Sequence, residues 1–298
     1  MKNNILYLFA SFICCMATAQ QKATIEELIE NLTDSKNKEI MVVAHRGDWR
    51  NAPENSLQAI QFCIDMGVDM VEIDIQKTLD GHIVLMHDKS INRTTNKKGN
   101  VKEMTLEQLK KAKLTDGLGR PTPNHIPTLE EAMLVAKGKI LVNLDKAYPI
   151  IKECYPILKK TKTLDHVVFK GEASRGEVEQ YLGSMLEEIH YMPQIKQKNP
   201  KGIAILDDFL ENGTPVAFAF GLPKEDKALQ KRFKDIREQG VSIWLNSLWP
   251  RHNAGHNDEK AIVNPKIYDW YIDNHIDIIQ TDRPGFLIEY LRKKGLHR

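Results

Sequence analysis

The sequence predicts an α/β fold, a (β/α)8 barrel with a small insertion after the second strand, and three observations carry that expectation. Eight short apolar runs recur along the chain, segments of helical period lie between them, and polar residues of unusual type collect where the runs end. With 298 residues, 42% of them hydrophobic and 28% charged, the chain has the length of one such barrel and the apolar content for a large core. Its 42 basic and 40 acidic residues are mixed along the sequence, for a formal net charge of +2. That balance offers no general surface for nucleic acid or anionic membrane, so an anionic ligand needs a local site.

Met1-Lys2-Asn3-Asn4, the apolar stretch Ile5 to Met16 and then Ala17-Thr18-Ala19 follow the plan of a secretory signal peptide. Residues 1–19 are therefore expected to be removed and the rest exported, to the periplasm or beyond the cell. The apolar run falls short of the ~20 residues that span a bilayer, so no stable membrane insertion is expected after cleavage. One barrel domain is expected over residues 38–298. Cys63 and Cys154 then remain, in two separate predicted helices, and are expected to be buried free thiols.

Strands are expected at Met41 to Ala44, Met70 to Ile75, Ile140 to Leu144, His166 to Phe169, Glu187 to Tyr191, Pro215 to Phe220, Val241 to Leu245 and Ile276 to Gln280. Asn55 with Gln58, and Thr128 with Glu131, have capping-box form at helix starts, and Gly67 and Gly138 fall where helices should stop. From about residue 88 to 127 the chain is rich in Asn, Thr, Lys, Gly and Pro and holds one convincing helix, Thr105 to Lys113. A segment of that length reads as an insertion over one mouth of the barrel.

The polar residues at strand ends are where a barrel places its chemistry. Glu72 and Asp74, two apart on one strand, point to the same side, and Val71, Ile73 and Ile75 imply that the strand is buried on both faces. Two interior carboxylates repel unless something offsets their charge, and a divalent metal is the economical answer. Asp145, at the end of the neighbouring strand, can reach the same point. All-oxygen ligation favours Mg²⁺ or Ca²⁺ over Zn²⁺. His45 and His87 each close an apolar run, and two imidazoles beside such a cluster suit acid/base catalysis. Asp88 follows His87 and can orient it. Arg46 offers a planar fork to phosphate oxygens and Lys146 a point charge. His252 and His256, in a Gly/Asn-rich loop, read as surface residues.

Taken together, His45-Arg46-Gly47, Pro53-Glu54-Asn55-Ser56, Glu72-x-Asp74, Thr78-x-Asp80-Gly81 and His87-Asp88 resemble the signature of the glycerophosphodiester phosphodiesterase family. Arg93-Thr94-Thr95, Ile126-Pro127-Thr128-Leu129-Glu130, the Trp244 strand and Thr281-Asp282-x-Pro284 fit as well, so the resemblance spans almost all of the mature chain. It implies metal-dependent hydrolysis of small glycerophosphodiesters to glycerol 3-phosphate and an alcohol. It also implies that His45 and His87 form the acid/base pair, that Arg46 and Trp244 meet substrate, that Glu72, Asp74 and Asp145 hold one divalent cation, and that Glu54 supports the site. The family's third ligand is usually a Glu with a Lys two residues on; here Lys146 follows Asp145 directly. The lysine's role then passes to Lys146 if the backbone bends there, or to Lys170. Alternatives left open are a related barrel phosphodiesterase acting on lysophospholipid or phosphoinositide headgroups, and a non-catalytic secreted binding module.

Overall fold

Runs that are apolar on both phases cannot sit on a half-wet sheet; they need cover on both faces, which parallel strands under crossover helices provide. The computed structural model describes residues 22–34, 39–196 and 201–298. Its strands are β1 (Met41–His45), β2 (Met70–Lys77), β3 (Ile83–Leu85), β4 (Lys113–Thr115), β5 (Pro121–His125), β6 (Leu141–Asp145), β7 (Val167–Gly171), β8 (His190–Lys196), β9 (Ala217–Gly221), β10 (Ser242–Asn246) and β11 (Ile278–Thr281). β1, β2 and β6 to β11 pair in parallel, and β1 pairs with both β2 and β11, so the sheet closes on itself. With helices between successive strands this is the expected (β/α)8 barrel. The signal segment expected at 1–19 lies outside the described residues.

Several ladders begin later than the apolar runs suggest, because the first apolar residue still belongs to the preceding helix's stop. Ile140, Val241 and Ile276 donate their N–H groups back to Ala136, Ile236 and Tyr271, capping orphan carbonyls before the strand starts. The helix Leu129–Ala136 has the expected capping box of Thr128 and Glu131, and Gly67 ends the helix Leu57–Met66 in the left-handed region. The latter helix does not start as expected. Ser56, not Asn55, is its N-cap, accepting from Ala59 N–H at 3.0 Å, because the Asn55 side chain is engaged with Asp74.

The barrel interior is graded from apolar to polar. At the lower end Met41, Met70, Leu141 and Trp244 pack with Ile25, Leu28 and Leu32 of the helix Ile25–Thr33, which plugs that end. One step further up, the buried interior side chains are Glu72, Asn143 and Gln280, and the next step reaches the mouth. The insertion holds a helix, Leu106–Lys110, shorter than expected, and an antiparallel β4–β5 ribbon over its own small core, which includes Met86, Ile91, Leu109 and Leu114. β5 reads Pro-Thr-Pro-Asn-His with no buried residue, so it carries no strand signature.

One glycine fixes the turn that follows β1. Gly47 has φ +76°, and a Cβ there would lie 2.7 Å from Ala59 Cβ and 3.0 Å from the Ala59 carbonyl carbon. Gly47→Ala is expected to lower the unfolding free energy by about 2–4 kcal/mol, combining left-handed strain with overpacking. Urea melts read this, and an unchanged midpoint would show that the turn yields.

Candidate active site

The strand ends surround a cavity of about 570 Å³. Glu72 and Asp74 reach it from β2 and Asp145 from the end of β6; one oxygen of each lies within 4.8 Å of the others. The β2–β6 register sets Asp74 opposite Asp145. Glu72 is buried, and its Oε2 accepts from Arg46 N–H at 3.0 Å and from Gln280 Nε2 at 3.3 Å. Burial, and then the charge of Asp74, push its carboxyl well above the ordinary range. Burial pushes Asp145 the same way, but Lys170 and Lys146 overcome it and hold Asp145 below the usual value. Asp74 exchanges two bonds with Asn55, each 3.0 Å: its Oδ2 accepts from Asn55 Nδ2, and its N–H donates to Asn55 Oδ1. These three carboxylates could hold a metal ion, and an all-oxygen set this tight suits a hard divalent cation.

Both histidines are oriented by carboxylates. His45 Nδ1 lies 2.8 Å from Asp282 Oδ1 and its Nε2 4.0 Å from Glu72 Oε2. His87 Nδ1 lies 2.6 Å from Asp88 Oδ1 and its Nε2 4.0 Å from Asp74 Oδ1. With Nδ1–H donated to a carboxylate, each ring presents Nε2 to the cavity. Burial disfavours a charged His45, but the Asp282 bond and the Glu72 charge outweigh it and raise the imidazole above its ordinary 6.5.

Two backbone bends aim the cations. Arg46 follows β1 with φ +55° and Lys146 follows β6 with φ +61°, a left-handed excursion that a side chain adopts only when its surroundings impose it. The bend brings Lys146 Nζ to 3.0 Å from Asp74 Oδ1, where it also donates to the His87 carbonyl. Lys170, on β7, reaches the cluster too, with Nζ 3.0 Å from Asp145 Oδ1. Arg46 donates from Nη1 to Glu54 at 3.2 Å, and its Nε lies 3.4 Å from Asp74. Glu54 is in turn gripped by two bonds from Arg93, which also binds Asp88. A continuous ionic chain thus joins the groups behind Arg46 to those behind His87.

The structure gathers His45, His87, Arg46, Glu72, Asp74, Asp145, Lys146 and Lys170 around one cavity, with Glu54 behind Arg46. Trp244 is elsewhere. It is buried in the apolar layer below, as an interior β10 position one step before the mouth must be, and its indole N–H donates to Asn246 Oδ1 at 2.7 Å. The tryptophan that lines the cavity is Trp249, edge-on to His45 with ring centroids 5.6 Å apart. His252 is not a surface residue as expected; it lines the cavity beside Trp249, whereas His256 stacks on Trp270.

Sequence reading also missed a support behind His45. Ser247, Tyr268 and Thr281 hydroxyls donate to Asp258 Oδ1, and Asp282 N–H donates to Oδ2 at 2.8 Å. Asp258 thereby sets the backbone that carries Asp282. Nothing in Asn257-Asp258-Glu259 marks one acid as buried; the signal is tertiary.

Fold and constellation are those of the (β/α)8-barrel phosphodiesterases. A domain of unknown function, DUF4996, matches residues 191–291. A glycerophosphodiester phosphodiesterase of Caldanaerobacter subterraneus is 41% identical over 120 residues, 38% of this chain and 49% of that protein. The alignments thus span about half the length, or less, of several of the curated relatives. A Bacillus subtilis glycerophosphodiester phosphodiesterase is 32% identical over 315 aligned positions, 96% of this chain and 99% of that protein. The chain belongs to the glycerophosphodiester phosphodiesterase family. Among solved structures, a glycerophosphoryl diester phosphodiesterase of Parabacteroides distasonis superposes with TM-score 0.76 at 25% identity, covering 92% of this chain and 93% of that one. An Oleispira antarctica phosphodiesterase, solved with the product sn-glycerol-3-phosphate, shares the fold with TM-score 0.64 at 20% identity, covering 85% and 96%.

Proposed function

We propose that this chain hydrolyses glycerophosphodiesters to glycerol 3-phosphate and an alcohol, with one divalent cation, Mg²⁺ or Ca²⁺, held by Glu72, Asp74 and Asp145. One observation supports it above others. Two imidazoles, each fixed at Nδ1 by its own carboxylate, present Nε2 4.0 Å from oxygens of the acidic cluster. When bound, the cation would offset the charge that builds on the phosphate. Arg46 offers that phosphate its guanidinium donors, while Lys146 and Lys170 balance the carboxylates. The Nε2 of one histidine takes the proton from the attacking oxygen, of water or of the substrate's own glycerol 2-hydroxyl, and the Nε2 of the other delivers a proton to the departing alkoxide oxygen as the P–O bond breaks. Where the glycerol hydroxyl attacks, water then opens the cyclic phosphate to glycerol 3-phosphate. The export expected from residues 1–19 belongs to the same proposal and sets the substrate outside the cytoplasm.

The test is product analysis. Purified protein supplied with Mg²⁺ or Ca²⁺ and a panel of glycerophosphodiesters is expected to release glycerol 3-phosphate and the free alcohol. Release of glycerol with the phosphorylated alcohol, or no turnover on any member, overturns the reading.

A further inference from the structure

A second hollow, of about 220 Å³, opens beside the catalytic cavity and shares Gln194, Lys196, Asn246 and His252 with it. Phe220, Pro223 and Arg251 complete much of its wall. The charge of the two spaces differs. In the catalytic cavity four carboxylates, those of Glu72, Asp74, Asp145 and Glu172, are matched by four cations, Arg46, Lys146, Lys170 and Lys196, whereas the second hollow has two cations and no carboxylate.

Those cations are not equally engaged. Lys196 pairs with Glu172 on the catalytic side. Arg251 makes no ion pair among the described residues; its guanidinium lies 5.6 Å from the Trp249 ring centroid, and its Nε approaches His252 Nε2 at 3.4 Å. Burial first, and then the charges of Arg251, Lys170, His45 and Lys196, push the His252 imidazole down to about 4. It is neutral at pH 7, and the formal charge of the hollow is that of Lys196 and Arg251.

We propose that this hollow receives the alcohol half of the substrate and selects alcohols that carry a negative charge of their own, on a carboxylate or a phosphate. The proposal rests on the glycerophosphodiester reading of the adjoining site. Because the two spaces share a wall, a diester whose phosphate lies near Arg46 can extend one ester arm into the second. An anionic headgroup there meets Arg251 and Lys196. A quaternary ammonium headgroup meets Arg251, which has no ion-pair partner among the described residues, and Lys196, whose charge Glu172 already offsets in part, and a like charge held in place is a means of rejection. Phe220 and Pro223 supply apolar contact for the carbon skeleton.

Matched pairs of esters test this with the cation-supplied enzyme. Glycerophosphoglycerate against glycerophosphoglycerol isolates a carboxylate, and glycerophosphoinositol 4-phosphate against glycerophosphoinositol isolates a phosphate. Glycerophosphocholine is the cationic reference. In at least one pair the charged member is expected to show kcat/KM at least about tenfold above its neutral partner and above the choline ester. The pair that responds tells carboxylate from phosphate. Arg251→Glu should collapse that ratio by at least about tenfold, chiefly through KM, and Lys196→Gln should lower it in the same direction. A wild-type preference for the choline ester, or a ratio that neither substitution moves, overturns the proposal and leaves the hydrolase reading standing. No turnover on any ester overturns both.

Discussion

His45→Ala and His87→Ala are each expected to lower kcat by about 10²–10⁴-fold on any glycerophosphodiester that the wild-type protein turns over, the usual worth of one positioned acid or base. KM should move far less, because neither ring carries the substrate's charge. The double variant should fall little below the worse single one, since proton removal and proton delivery serve the same P–O exchange and groups that act as a unit are not additive. The folded state should survive, because each ring sits at a strand end over the cavity and not in the packed layer beneath. Steady-state kinetics with circular dichroism melts decide the matter. Either variant retaining more than about a tenth of wild-type kcat while folded would remove that histidine from the chemistry.

The carboxylate cluster carries the second large effect. Adding Mg²⁺ or Ca²⁺ to chelator-treated protein is expected to raise its melting temperature as well as its activity. At a free concentration of about 100 times Kd the stabilisation is about 2.7 kcal/mol, which for a domain of this size is about 5 °C. Glu72→Gln and Asp145→Asn should lose both the shift and the turnover. The diagnostic comparison is made in chelator, without cation. There Glu72→Gln should melt at or above the wild type, because the substitution removes a carboxyl whose ionisation, free in the unfolded chain, is opposed in the folded one by burial and by Asp74, while the amide oxygen can still accept from Arg46 N–H. A variant that is less stable in chelator and still shows the full cation-induced shift would mean that Glu72 is structural and the ion binds elsewhere.

Most of the barrel was legible because strand burial on both faces leaves an apolar signature that survives any tertiary detail. The exceptions are physical. β5, with two prolines and no buried residue, pairs along a surface ribbon, where side-chain hydrophobicity is not what holds it. The plug helix Ile25–Thr33 is short, though its Thr24–Glu27 capping box was written in the sequence. In the site, residues within one or two positions of a strand end could be placed by alternation, which is how Glu72, Asp74 and Asp145 were found. Alternation also separates Trp244 from the mouth, since it shares a face with Asn246 but stands one layer lower. Roles that depend on meeting a distant segment, such as Asp258 beneath Asp282 or His252 beside Trp249, leave no local trace. The bend at Lys146 was foreseen only as a condition for that lysine to reach the site, and its φ of +61° meets the condition.

β1 closes the ring between β2 and β11, and the carboxylate that orients His45 follows β11, 237 residues further along the chain. During synthesis β1 therefore waits with one edge unsatisfied until nearly every other strand has been made. An open, partly wound sheet would hold Glu72 and Asp74 on β2, yet His45 would turn freely with no partner at Nδ1. Catalytic competence and closure of the ring are thus one event, so the appearance of turnover during refolding times the arrival of the last strand.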